Sequence, residues 1–299
     1  MKRKLVKQGT ATLMISLPSK WVKLNNLSKG SEIDIDEIDS NLIIKADSGG
    51  GKKKIEVNIS SLTESSIRTV ITNAYRIGYD EVIIHFSNKN TINIIQDIVD
   101  RNLIGFEITK KTDKLCNIES ITEPSKEHFN NIFSKVLLNI DELFLIAEKN
   151  LSGEKEDFED IERKIQQFDN FCRRVVSKEN FAYDELIWSF HSELIHAQRE
   201  IYLMLKYLKN NKIKDNKDVK DILSECKKIF DLLKEGYENK DIKSLERVHD
   251  FEKDIIYKKG YKLLEKSKDA IVIHHILSAA RNFYLASSPL IGFKLIQKN

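Results

Sequence analysis

From Phe129 to Leu208 apolar residues return at intervals of three and four, and this commits the stretch to packed helices. Phe129, Ile132, Val136, Ile140 and Leu143 make one stripe. Phe158, Ile161, Ile165, Phe168, Cys172 and Val175 make a second, and Ile187, Phe190, Leu194, Ala197, Ile201, Met204 and Leu208 a third. A helix gathers such positions on one face, and that face needs another helix to cover it. With only 3 Pro and 11 Gly in 299 residues, little interrupts long helices. Breaks near Leu151–Gly153, Lys178–Asn180, Asn210–Asp215, Glu235–Asp241 and Ser267–Asp269 divide residues 124–299 into six helices of roughly 20 to 28 residues. That is room for a three-helix unit repeated twice, although the two halves share little residue identity.

Residues 1–47 follow a different period. Leu13, Ile15 and Leu17 alternate with Met14 and Ser16, and Pro18 ends that run. Lys20 to Leu24 has room for about one helical turn before Asn25-Asn26 and Lys29-Gly30 reverse the chain. Ile33 and Ile35 alternate with Glu32, Asp34 and Asp36, and Leu42-Ile43-Ile44 make a last strand. So few strands bury little core alone, which predicts a dimer. Ser48-Gly49-Gly50-Gly51 reads as a linker.

Residues 52–121 predict a small α/β layer in the order βαβαββ. Ile55, Val57 and Ile59 alternate, and Ser61-Leu62-Thr63-Glu64 has capping-box spacing before a helix running to about Gly78. Val82–Phe86 is a strand, Thr91–Arg101 a helix, and Phe106–Ile108 and Leu115–Ile121 are strands. No glycine-rich phosphate loop follows any strand. The fold class is therefore a multidomain α+β protein with domains at 1–47, 52–121 and 124–299.

The chain carries 49 basic and 46 acidic residues. Its positive charge is nonetheless local. Lys2, Arg3, Lys4, Lys7, Lys20, Lys23 and Lys29 all precede the first acid, Glu32. A basic module on a nearly neutral chain is the electrostatic footprint of a phosphate-backbone binder. Cys116, Cys172 and Cys226 are scattered, with neither metal-ligand spacing nor a disulfide framework. That suits a cytoplasmic protein, and Cys172 falls on an apolar stripe as core packing. No apolar run approaches a membrane span, and Lys7 interrupts Leu5 and Val6 before any secretory signal can form.

Lys7-Gln8-Gly9-Thr10-Ala11-Thr12-Leu13-Met14-Ile15-Ser16-Leu17-Pro18, followed by Trp21, Leu27-Ser28-Lys29-Gly30, Ile33 and Ile35, resembles the AbrB/SpoVT/MazE swapped-hairpin DNA-binding domain. It is most similar to archaeal versions, in which a small-residue tract precedes the Leu-Pro and a Trp follows. The helical region resembles a PhoU domain, a pair of three-helix bundles, in helix count and length and in the stretch from His275 to Asn282. Archaeal regulators join these modules through a small α/β segment. The resemblance implies a homodimer whose interleaved strands close a small β-barrel and present a basic hairpin to double-stranded DNA. Arg3, Lys4, Lys7, Lys20 and Lys23 are then the phosphate contacts, with Thr10 and Thr12 as polar donors near the loop. The alternative for these cations is a solvated edge that protects a strand from aggregation. Many relatives place an Arg before the Leu-Pro. Ser16 stands there in this chain, so bidentate guanine recognition is not expected at that position.

PhoU domains often carry Glu-x-x-x-Asp motifs that hold metal clusters. Here the corresponding positions are Glu193 with Ala197, and Tyr284 with Ser288, so no metal or other cofactor is expected. Asp250 and Asp254 beside His249, and Glu193, His196 and Glu200 on one helix face, read as solvated faces with local ion pairs. His274 and His275 read as packing or capping groups. No nucleophile elbow, Walker loop or His-Glu-x-x-His motif occurs, so no catalysis is expected. The resemblance thus implies a DNA-binding transcriptional regulator whose helical domain senses a signal, related to phosphate supply, or engages a protein partner. The competing reading is a PhoU-type interaction protein, acting on a phosphate transporter or kinase, whose hairpin module serves only to dimerise.

Overall fold

The computed structural model describes residues 1–38, 41–46, 52–60, 63–122, 125–179, 183–211, 216–239 and 242–296. The expected linker Ser48–Gly51 and the capping-box Ser61 lie outside them, as do Asn180, 212–215 and 240–241 in the expected helix breaks. The chain divides into two units, Met1–Lys52 and Lys53–Asn299.

In the first unit β1 (Val6–Gln8) and β2 (Thr12–Met14) form an antiparallel hairpin. Gly9 opens its turn with φ 75°, a backbone that residues with a Cβ rarely adopt. The expected strand reaching Leu17 stops at Met14. Met14 pairs with Val6, where β1 begins, so the described residues offer Ile15 and Leu17 no ladder partner. After Pro18 comes the short helix α1 (Ser19–Leu24). A second hairpin follows, β3 (Ile33–Ile38) with β4 (Asn41–Ala46). Its register puts Ile33, Ile35, Leu42, Ile44 and Ala46 on one face, together with Glu37, which lies opposite Leu42. Among the residues of this unit whose side chains are described, none is buried; Leu13, Ile35 and Leu42 are 61%, 56% and 67% exposed.

The second unit begins with the α/β layer: β5 (Lys54–Ile59), α2 (Glu64–Arg76), β6 (Glu81–Phe86), α3 (Thr91–Asn102), β7 (Phe106–Lys111) and β8 (Leu115–Ser120). The sheet order is β5-β6-β8-β7, with β5 and β6 parallel and the other pairs antiparallel. Ile67, Ile71, Tyr75, Ile84, Ile98 and Ile118 are the centre of its own core. Helix α2 starts at Glu64 after an extended Thr63.

The helices are α4 (Phe129–Leu151), α5 (Glu159–Glu179), α6 (Asp184–Asn210), α7 (Lys217–Glu238), α8 (Lys243–Lys253), α9 (Tyr261–Lys266) and α10 (Ala270–Ile296). A π-helical stretch, Asp254–Gly260, joins α8 to α9 into one rod. Six helical rods therefore occupy the described residues of 124–299. The stripes read from the sequence are buried in one continuous core, with α6 packed along α10 most extensively. Cys172 is fully buried within it, and all three cysteines are free. Among the described residues no helix is long and apolar enough to cross a membrane.

The α/β layer is fastened to α5 by buried polar groups. Arg174 is completely buried and donates to the Tyr75 and Tyr79 carbonyls at 3.0 and 2.7 Å. Asn170 accepts from Arg76 Nε at 2.7 Å and donates to the Asn102 carbonyl at 3.0 Å. Gly78 (φ 90°) lets the turn after α2 lie against this helix; a Cβ there would meet Lys178 Cγ at 3.0 Å.

Candidate nucleic-acid interface

The segment leading into the first hairpin, the hairpin itself and α1 carry every cation proposed to touch phosphate. Arg3 and Lys4 precede β1 and are exposed. Lys7 lies in β1 opposite Leu13. Directly opposed residues of an antiparallel pair share a face, so Lys7 and Leu13 share one face. Gln8 and Thr12 share the other, with Val6 and Met14. Simple alternation therefore does not separate charge from apolar surface here, and Lys7 and Thr12 point to opposite sides of the hairpin. Thr10 sits in the turn, exposed.

Lys20 and Lys23 are three apart on α1 and both exposed. That spacing puts them on one side of the helix, and Lys23 also lies in its last turn, where a cation meets the favourable end of the dipole. The site is thus Arg3 and Lys4 before β1 and Lys7 within it, with a separate pair on α1. Ser16, just before Leu17-Pro18, is exposed and offers a hydroxyl where guanidinium readout would need an arginine.

The second unit disperses the acidic and histidine positions noted in the sequence. Glu200 is engaged by His275 Nδ1 at 2.8 Å, and His274 packs against His275. Asp254 pairs with Lys258 at 2.5 Å. Tyr284 contacts the His249 ring and the Arg281 guanidinium, Ala197 is buried, and Ser288 is exposed. Among the described residues no three His, Cys, Asp or Glu side chains converge as a metal site.

Sequence reading missed a buried ionic cluster on α5 and α6. Burial alone would push the Asp169 carboxyl up. Arg173 at 2.8 Å, the His191 Nδ1 hydrogen bond at 3.0 Å and Arg76 at 3.6 Å instead hold it at about 2. Burial lowers His191 below its ordinary value, against the pull of Asp169. The available signal was the spacing of Asp169 and Arg173 inside the apolar stripe that carries Phe168 and Cys172.

Residues 6–52 match the family described as "Antidote-toxin recognition MazE, bacterial antitoxin". The match covers the two hairpins and α1, the segment whose residues resemble the swapped-hairpin domain. No curated protein and no solved structure matches the chain.

Proposed function

We propose that the chain is a DNA-binding transcriptional regulator, with Arg3, Lys4 and Lys7 and the α1 pair Lys20 and Lys23 as its nucleic-acid contacts. The observation that carries this is the coincidence of two features in one segment. All cations before Glu32 fall within or beside the stretch that matches the MazE family. Cations at Arg3, Lys4, Lys7, Lys20 and Lys23 displace the counterions of a duplex, and that release supplies sequence-independent affinity.

The functional form is a homodimer. An amino-terminal unit with no buried residue among its described side chains needs a second surface for its apolar face, and a second copy supplies Ile35, Leu42 and Ile44 in the same arrangement. The helical region acts as a PhoU-like sensing or docking domain in a cytoplasmic protein; six long helices around one core support that reading, and a link to phosphate supply rests on the resemblance alone. No catalytic step is assigned. The family description concerns toxin recognition, which favours one further reading: the unit engages a protein and the hairpins serve association only.

Titration of the full chain with duplex DNA at several salt concentrations tests the proposal. The expected result is binding whose logarithm falls linearly with the logarithm of salt. Replacing Arg3, Lys4 and Lys7 together with Ala lowers the slope by about three. Binding that ignores salt, or a triple variant identical to the parent, removes DNA from the assignment.

A further inference from the structure

An open cavity of about 810 Å³ lies between α2 and α3 of the α/β layer and α5 and α6 of the bundle. Its lining is mostly polar and rich in arginine. Arg68, Arg76 and Arg101 come from the α/β side, and Arg163, Arg173, Arg199 and Lys206 from the bundle. These seven cations face four lining carboxylates, Glu64, Asp97, Glu159 and Glu162. Exposed Asp160 pairs with Arg163 and buried Asp169 with Arg173, so against the seven cations a surplus of one positive charge remains.

The floor is preorganised. Arg76 is fixed by Asn170, and Arg173 donates to Asp169 at 2.8 Å and to Ser192 Oγ at 2.9 Å. One carboxylate, Asp169, serves both guanidiniums. The rim is exchangeable: Arg68 with Glu64 and Arg101 with Asp97 are half-exposed pairs within single helices, and such pairs contribute little. A phosphate that displaces these carboxylates gains charge-assisted, two-pronged hydrogen bonds from planar guanidiniums. Trp188, with Arg173 5.1 Å from its ring centroid, lines the same space and offers an aromatic surface. Size and placement agree, since small-molecule sites of about 300–1,000 Å³ favour boundaries between cores.

We propose that this cavity binds a phosphorylated small molecule of nucleotide size, its phosphates on the arginines and its ring at Trp188. The inference stands whether or not the amino-terminal unit binds DNA. Calorimetric titration of the full chain with ATP, tripolyphosphate and adenosine tests it, alongside Trp188 fluorescence in a Trp21→Phe background, Trp21 being the other tryptophan. ATP is expected to bind once per chain and to change the Trp188 signal. Tripolyphosphate binds at least threefold more weakly and adenosine not at all. Replacing half-exposed Arg68 and exposed Arg101 and Lys206 together with Gln weakens ATP at least tenfold without moving the melting temperature of the free protein. The Arg3, Lys4 and Lys7 triple Ala variant binds ATP like the parent. The proposal is overturned if millimolar ATP does not bind, if the Gln variant binds it equally well, or if binding is lost in the amino-terminal variant. Tripolyphosphate binding as tightly as ATP overturns the assignment of a ring to Trp188.

Discussion

The Arg174 guanidinium lies 2.7 Å from the Asp80 carboxylate, joining the bundle to the turn between α2 and β6. Lys178 reaches the same carboxylate oxygen at 2.6 Å. The guanidinium also lies over the Tyr75 and Phe106 rings, 5.1 and 4.7 Å from their centroids. A buried charge is tolerated when hydrogen bonds and an opposite charge surround it, and here two carbonyls, one carboxylate and two ring faces do so. The α/β layer is thereby one body with the bundle rather than a loose tether.

Truncating this arginine therefore loosens the whole second unit. Arg174→Ala removes one donor each from the Tyr75 and Tyr79 carbonyls and from Asp80, which keeps Lys178, and empties a fully buried site, with an expected loss of about 3–5 kcal/mol. Arg174→Lys recovers only part of this, because one ammonium cannot reproduce the planar fork that reaches both carbonyls and the carboxylate. Urea unfolding of the two variants and the parent is the measurement. A lysine variant as stable as the parent would contradict the geometric argument.

The Asp169–His191 pair predicts acid sensitivity in two steps. The pKa of His191 is lowered in the folded state, so on acidification through about 6.5 the unfolded chain takes up a proton that the folded chain refuses. The unfolded state then binds more protons, and stability falls from pH 7 towards pH 5. The pKa of Asp169 is also lowered, from 3.8 to about 2, so its contribution is present above pH 4 and is lost as pH falls through its folded value. His191→Gln is expected to give a shallower dependence of unfolding free energy on pH between 7 and 5. Parallel curves for variant and parent would show that this histidine does not govern the slope.

If the proposed dimer forms through the Ile35 and Leu42 face of the second hairpin, added charge on that face separates the protomers. Ile35 and Leu42 are half or more exposed in one chain and share a face with Ile33, Ile44 and Ala46. Placing Asp at both positions buries unpaired charge in a dimer and costs nothing comparable in a monomer. Sedimentation should shift the double variant to monomer at micromolar concentration, while the melting transition of residues 53–299, which hold their own two cores, persists. A double variant that still sediments as a dimer locates the interface elsewhere.

The periodic parts of the fold were legible because burial writes itself into spacing. The stripes of α4, α5 and α6 and the strands β6, β7 and β8 lie where periods of 3.6 and 2 put them. Pairing partners were not legible. Nothing in Leu13–Leu17 reveals that the ladder ends at Met14, because that limit is set by where β1 begins. Nor does local sequence show that Arg173 and Arg174, neighbours in one helix, serve different surfaces: one faces Asp169, the other Asp80. For the candidate site, charge composition located the cations, but only the register put Lys7 and Thr12 on opposite faces.

That opposition gives a prediction that separates charge from hydrogen bonding. Lys7 carries a full charge beside Leu13, whereas Thr12 offers a neutral hydroxyl on the other face. If the Lys7 side meets the duplex, Lys7→Ala removes one neutralised phosphate and lowers the salt slope by about one. Thr12→Ala releases no additional counterion and leaves the slope unchanged, whatever it does to affinity. Lys20→Ala with Lys23→Ala, on α1, lowers the slope by about two, independently of Lys7, which lies on a separate element. Fluorescence anisotropy with a labelled duplex at four salt concentrations measures all three slopes. A Thr12 variant that flattens the slope as much as Lys7→Ala would mean that the hairpin's faces do not engage the phosphates separately. The register would then have to differ from the one that pairs Lys7 with Leu13.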